Sequence, residues 1–123
     1  MIDASIRAAI QRGLTCDITT FGRKSGQPRR IEIWYFVLDD DVYISGTPGP
    51  RDWLANLRAN PQLSFHVKEG AYADLPAQAS IITDPDERRR IMGRIMRENS
   101  WFAEQDFDLE QWVLGSPLVR VDF

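Results

Sequence analysis

Residues 19–30 read Thr-Thr-Phe-Gly-Arg-Lys-Ser-Gly-Gln-Pro-Arg-Arg. Four cations, Arg23, Lys24, Arg29 and Arg30, crowd into this stretch, and no acid falls between Asp17 and Glu32. The chain as a whole carries a formal net charge of -3 at pH 7, so the positive charge is a local concentration. Gly22, Ser25 and Gly26 let the backbone turn sharply and present its N–H groups. On one side, Leu14 to Phe21 alternates and is rich in Thr and Ile. On the other, Ile31 to Leu38 holds Ile, Trp, Tyr, Phe and Val. Both are strand compositions, so the stretch is the turn of a β-hairpin. Its cations fit either of two roles: a solvated hairpin tip, or a grip for an anionic ligand.

The rest of the chain builds outward from this hairpin. Asp39-Asp40-Asp41 is the next turn, and Val42 to Gly46 returns as a third strand. Thr47-Pro48-Gly49-Pro50 breaks the sheet. Pro50 then opens a short helix as its first residue, with Trp53, Leu54 and Leu57 on one face, and Asn60-Pro61 stops it near Ala59. Leu63, Phe65 and Val67 alternate with Ser64, His66 and Lys68, which gives a fourth strand with His66 on its polar face. A fifth extended segment covers Ala71 to Thr83, bent or edged at Pro76. Asp84, Pro85 and Glu87 form a helix start with a capping box, and Ile91, Met92, Ile95 and Met96 are the buried stripe behind it. Trp101, Phe102, Phe107 and Trp112 lie on one or two short helices, and Pro117 to Phe123 is the last strand. Ahead of everything, residues 3–12 form an amphipathic helix capped by Asp3. Six antiparallel strands with helices over the openings predict a small closed or split β-barrel of mainly β, α+β class, one domain over residues 1–123. Regular βαβ alternation is missing, which argues against a doubly wound sheet.

Composition excludes several classes of function. A sequence pI near 5.1 disfavours a nucleic-acid binder. No apolar run is long enough to span a bilayer, and the N-terminus has no signal-peptide core. The one cysteine, Cys16, reads as a small buried apolar residue, and the expected setting is cytoplasmic. The three acids at 39–41 lack calcium-loop spacing, and no Cys/His cluster suits zinc, so no metal is expected. The one histidine, His66, has no Gly-x-Ser-x-Gly partner, and no Walker or Gly-x-Gly-x-x-Gly loop is present. With no dedicated acid–base machinery, an enzyme of this sequence needs a cofactor to carry its reaction.

Two segments suit such a cofactor. One is the cationic turn. The other is Ser45-Gly46-Thr47 running into Arg51-Asp52-Trp53, where a glycine allows close approach and small hydroxyls stand beside a helix start. Trp34 and Trp53 read either as covers for an aromatic ring or as core.

Taken together, Thr-x-Gly-Arg-Lys-Ser-Gly-Gln-Pro-Arg, then Asp-x-x-x-Tyr-Ile-Ser-Gly, then Trp-Leu-Ala-Asn-Leu-Arg-Ala-Asn-Pro resembles the deazaflavin-dependent nitroreductase and quinone reductase family. That family belongs to the split-barrel flavin-binding superfamily, related to pyridoxamine phosphate oxidases. The resemblance spans Thr19 to about Lys68. It implies an FMN-binding type of split barrel and an oxidoreductase. In such an enzyme a reduced deazaflavin, coenzyme F-420, passes hydride to a small electron-poor acceptor such as a quinone, an enone or a nitroaromatic. It also implies that Arg23, Lys24, Ser25, Gln27 and Arg29 meet the acidic tail and phosphate of the cofactor. By the same resemblance Glu32 and Trp34 are expected to lie against its ring, and Ser45, Gly46, Thr47, Arg51, Asp52 and Trp53 to make further contacts. Other members of the superfamily bind FMN, haem or biliverdin, so FMN is the alternative cofactor, and a non-catalytic flavin or tetrapyrrole binder is the alternative function. This chain departs from the family in having no tyrosine after Tyr72, which leaves Trp101, Phe102, Phe107 and Trp112 to line the acceptor's space. Split barrels often pair through sheet faces, so a homodimer is expected.

Overall fold

The computed structural model describes residues 2–123. Its elements follow the expected order. They are α1 (Ala4–Arg12), β1 (Thr15–Phe21), β2 (Pro28–Leu38), β3 (Asp41–Ser45), α2 (Asp52–Ala59), β4 (Gln62–Val67), β5 (Ala73–Ile81), α3 (Pro85–Glu98), α4 (Ser100–Ala103), α5 (Leu109–Gly115) and β6 (Leu118–Asp122). The six strands close into an antiparallel barrel in the order β1-β2-β3-β6-β5-β4. Among the described residues no helix is long and apolar enough to cross a membrane.

Strand alternation divides the apolar residues between two cores. One alternate set points into the barrel, where Ile18, Ile44, Phe65 and Val119 are fully buried and Leu57 of α2 plugs one end. The other set faces outward. On β2 this places Tyr35 inside, while Phe36 and Leu38 pack outside against Ile91, Met92 and Ile95 of α3 and Trp112 of α5. A strand buried on both faces needs no polar alternation, which explains the unbroken apolar run from Tyr35 to Leu38. Asp84 caps α3 by accepting the Glu87 N–H at 2.9 Å, as its capping pattern predicts.

Three local expectations are corrected. β2 begins at Pro28, not at Ile31, because the ladder continues through Thr19↔Arg30 and Thr20↔Arg29 to Phe21↔Pro28. Only residues 22–27 remain as the turn, closed by Gly22 N–H donating to the Gln27 carbonyl at 2.8 Å, with Gly26 at φ 71°. Pro50 is not the first helical residue. Arg51 is the N-cap of α2, with extended backbone at φ -137° and ψ 135°, and its guanidinium binds the preceding loop. His66 is buried rather than displayed on a polar face, since its ring is bonded on both sides: Nε2 lies 2.7 Å from Thr19 Oγ1 and Nδ1 2.6 Å from Asp74 Oδ1.

Candidate functional site

Where the helical cover of β2 stops, its outward face runs on to Trp34 and Glu32 and forms one wall of a slot of about 490 Å³. The facing walls come from the α2 start and from α4 and α5. Trp34, Trp53, Trp101, Trp112, Phe36 and Phe102 make this an aromatic slot. Trp53 and Trp112 are buried, whereas Trp34 and Trp101 are more than half exposed and stand at its opening. Flat aromatic walls with an open edge suit a planar ring system.

A second hollow, a cleft of about 450 Å³, adjoins the slot and shares Ile31 and Trp53 with it. Arg23, Lys24, Ser25 and Arg29 line it, together with Thr20, Asp52 and Asn56. Arg23 Nη1 lies 3.8 Å from Asp52 Oδ1, a loose and largely solvated pair. Among the described residues, Lys24 and Arg29 have no carboxylate partner within 4.0 Å. The fourth cation of the stretch goes elsewhere: Arg30 Nε donates to Asp17 Oδ2 at 3.0 Å on the neighbouring strand. The split follows from β2 starting early, because residues 29 and 30 then point to opposite faces.

Local hydrogen bonds fix both hollows. The cationic turn is moored to α2 through Asn56, which is buried inside the barrel mouth. Its Oδ1 accepts the Arg23 N–H at 3.1 Å, and its Nδ2 donates to Thr20 Oγ1 at 3.3 Å. At the other end, Arg51 gathers the loop before its own helix. Nη2 donates to Thr47 O at 2.8 Å and to Thr47 Oγ1 at 3.0 Å, and Nη1 donates to Gly49 O at 3.0 Å. A Cβ on Gly46 would lie 3.2 Å from Arg51 Nη2, so the glycine allows this closure. Ser45 Oγ donates to Pro117 O at 2.6 Å and ties this side of the slot to the residue that leads into β6.

The predicted residues therefore divide. Glu32, Trp34, Ser45, Gly46, Thr47, Arg51 and Trp53 line the slot; Arg23, Lys24, Ser25, Arg29, Asp52 and again Trp53 line the cleft. Gln27 lines neither. Its N–H donates to Ser25 Oγ at 3.2 Å and its carbonyl closes the turn. The Glu32 carboxylate is bonded by Lys68, which also reaches Asp17 at 2.7 Å. That pairing holds the Asp17 carboxyl below the usual carboxylate range and keeps Lys68 charged. Of the late aromatics, Trp101, Phe102 and Trp112 reach the slot, while Phe107 packs behind Trp112 at a centroid distance of 4.8 Å.

Sequence reasoning missed Thr20, Asn56 and Asn99. Asn56 left a signal: it falls three residues after Trp53 on the apolar stripe of a short helix, where an amide needs buried partners. Asn99 gave none, since a residue between two helices reads only as a cap.

Several solved structures share this fold. A conserved hypothetical protein, Rv2991, from Mycobacterium tuberculosis aligns at TM-score 0.74 and 22% identity, covering 98% of this chain and 79% of that one. An FAD-binding protein from Mesorhizobium loti aligns at TM-score 0.68 and 16% identity, over 100% and 90% of the two chains. A protein described as F420 reductase aligns at TM-score 0.70 and 15% identity, over 99% and 94%. No curated protein matches the sequence. The model of the F420H(2)-dependent quinone reductase family matches residues 4–110, most of the chain. The chain belongs to that family, and with it to the oxidoreductases that work with coenzyme F-420.

Proposed function

We propose that slot and cleft form one continuous site for reduced deazaflavin, with the ring in the aromatic slot and the anionic tail in the cationic cleft. The observation that carries this reading is the shared wall. Ile31 and Trp53 border both hollows, so a ligand with a flat apolar head and a charged tail fits across them without a break. The residues fit the group on chemical grounds. Lys24 and Arg29 are cations without carboxylate partners among the described residues, and they line the cleft together, which suits a tail of carboxylates and phosphate. Trp34 and Trp53 offer faces to the ring.

When bound, a reduced deazaflavin supplies a hydride. What the chain supplies is position. Trp34 and Trp53 would give a bound ring flat apolar walls, and Arg51 holds the Thr47–Pro50 loop that borders the slot. Trp101, half exposed at the opening, limits water above the acceptor. Among the described residues Glu32 is the only carboxylate that lines the slot, and Lys68 bonds it, so water supplies the proton that accompanies the hydride. We infer that the acceptor is a small, flat, electron-poor molecule: a quinone, an enone or a nitroaromatic.

FMN is the competing ligand, because its ring would suit the same walls. Haem is disfavoured by the histidine: both ring nitrogens of His66 are bonded and the residue lines neither hollow, so it offers no axial ligand there. Parallel fluorescence titrations with F-420 and FMN test the reading. Tighter binding of F-420, with turnover of a naphthoquinone by its reduced form, is the expected result; preference for FMN overturns it. For assembly we propose a homodimer, since split barrels often pair through their sheet faces. Light scattering that gives the mass of one chain contradicts it.

A further inference from the structure

Asn99 stands between α3 and α4, half-buried, and borders the slot. Its backbone and half its side chain are committed. The Asn99 N–H donates to Ile95 O at 3.1 Å, and its Oδ1 accepts the Trp101 N–H at 3.2 Å. These two bonds fix which way the carboxamide turns. Its amide nitrogen, Nδ2, donates to no protein acceptor among the described residues. Of the other non-aromatic polar side chains of the slot, Ser45 is bonded to Pro117, Arg51 is spread over Thr47 and Gly49, and Glu32 is held by Lys68, while Thr47 Oγ1 accepts from Arg51 and offers only a short hydroxyl.

We infer that Asn99 Nδ2 donates a hydrogen bond to an oxygen of the acceptor, which makes Asn99 a specificity residue. It favours quinones and nitroaromatics over flat acceptors that carry no oxygen. The inference rests on the deazaflavin reading above. For a quinone, the hydride from the reduced cofactor, which is thereby oxidised, ends as the hydrogen of one O–H. Its two electrons make the ring aromatic and leave the other oxygen a phenolate, which takes a proton from water to give the hydroquinone. Asn99 donates to that oxygen as its charge grows and keeps its own proton. Its fixed amide costs little reorganisation at that moment, because α3 and α4 already hold it.

Asn99→Asp separates this role from capping. Asp keeps an oxygen for the Trp101 N–H and nearly the same volume, but it replaces the donor with a negative oxygen. The experiment measures kcat and KM with 1,4-naphthoquinone and with phenazine, a flat neutral acceptor without oxygen that an added carboxylate does not attract, under saturating reduced F-420. The ratio of the two kcat/KM values should fall by about tenfold or more, mainly through a higher KM for naphthoquinone. F-420 affinity is titrated separately, because Asn99 borders the slot proposed for the ring, and the ratio is compared only between proteins saturated with the cofactor. Asn99→Ser, which also caps but is too short to reach, should lower the same ratio, and it decides the question if the Asp variant does not fold. An unchanged ratio in a folded variant that binds F-420 overturns this inference alone. Failure of the wild type to bind F-420 overturns the functional reading and this inference together.

Discussion

Asn56 Oδ1 accepts the backbone N–H of Arg23 at 3.1 Å, across 33 positions of sequence. One buried amide of α2 thus holds the first cation of the turn over the cleft. Its Nδ2 is bonded to Thr20, so both ends of the amide are used. Asn56→Ala would leave the Arg23 N–H and the Thr20 hydroxyl without partners. The expected cost is about 1–3 kcal/mol of stability in a urea melt. F-420 affinity should fall as well, because the turn loses its mooring. A variant of wild-type stability and affinity would mean that the turn holds its place without α2.

Arg51 acts through the backbone. Its guanidinium binds carbonyls of Thr47 and Gly49 rather than any acid. Lysine has the charge but not the fork, so Arg51→Lys should behave nearly like Arg51→Ala. Both should weaken F-420 binding by about tenfold, with the loss independent of salt, because it is a loss of shape and not of an exposed charge. Full rescue by lysine would assign Arg51 the direct ligand contact read from the sequence.

Gly13 sits against Tyr35, whose hydroxyl donates to Ile10 O at 2.7 Å. A Cβ there would lie 2.2 Å from that hydroxyl oxygen. Gly13→Ala should therefore displace a buried tyrosine and cost about 1–3 kcal/mol, read as a lower melting temperature. Ligand affinity should stay unchanged, since Tyr35 points into the barrel and away from the slot.

Acid should loosen the outer face of β1. The Lys68 ammonium beside Asp17 keeps its carboxyl below its ordinary value, and Thr15 does the same for Glu69 by donating its hydroxyl and N–H. A carboxyl depressed in the folded state adds stability above its unfolded value, about 4, and loses it as pH falls through the folded value. Melting temperature followed downward from neutral pH should drop below about pH 4, and less steeply in Asp17→Asn. Equal slopes in both proteins would remove Asp17 from the explanation.

The barrel was legible because its signals are local. The Ile-Glu-Ile-Trp-Tyr-Phe-Val-Leu run, the Asp84-Pro85 start and the Asn60-Pro61 stop each carry their own propensity, and the strand order follows from short connections. The site was legible where residue type declares chemistry: cations in a glycine turn, and a small-residue segment before a helix. What escaped depended on register and third partners. That Arg30 leaves the cleft for Asp17, that His66 is buried between Thr19 and Asp74, and that Arg51 clamps a loop are consequences of which strands meet. Asn56 and Asn99 acquire meaning only when distant elements are brought beside them.

The central claim is that the cationic turn grips the anionic tail of the cofactor, and Lys24 and Arg29 test it most directly. Both are exposed and have no carboxylate partner among the described residues, so Lys24→Ala with Arg29→Ala should barely move the melting temperature. The measurement is an F-420 titration of folded wild type and double variant at low and at high salt. At low salt the variant should bind about tenfold more weakly or worse, since each charge-assisted contact is worth on the order of 1–3 kcal/mol. At high salt the gap should narrow, because screening already weakens the wild-type contacts. A folded double variant that binds F-420 with wild-type affinity at both salt concentrations would contradict the account.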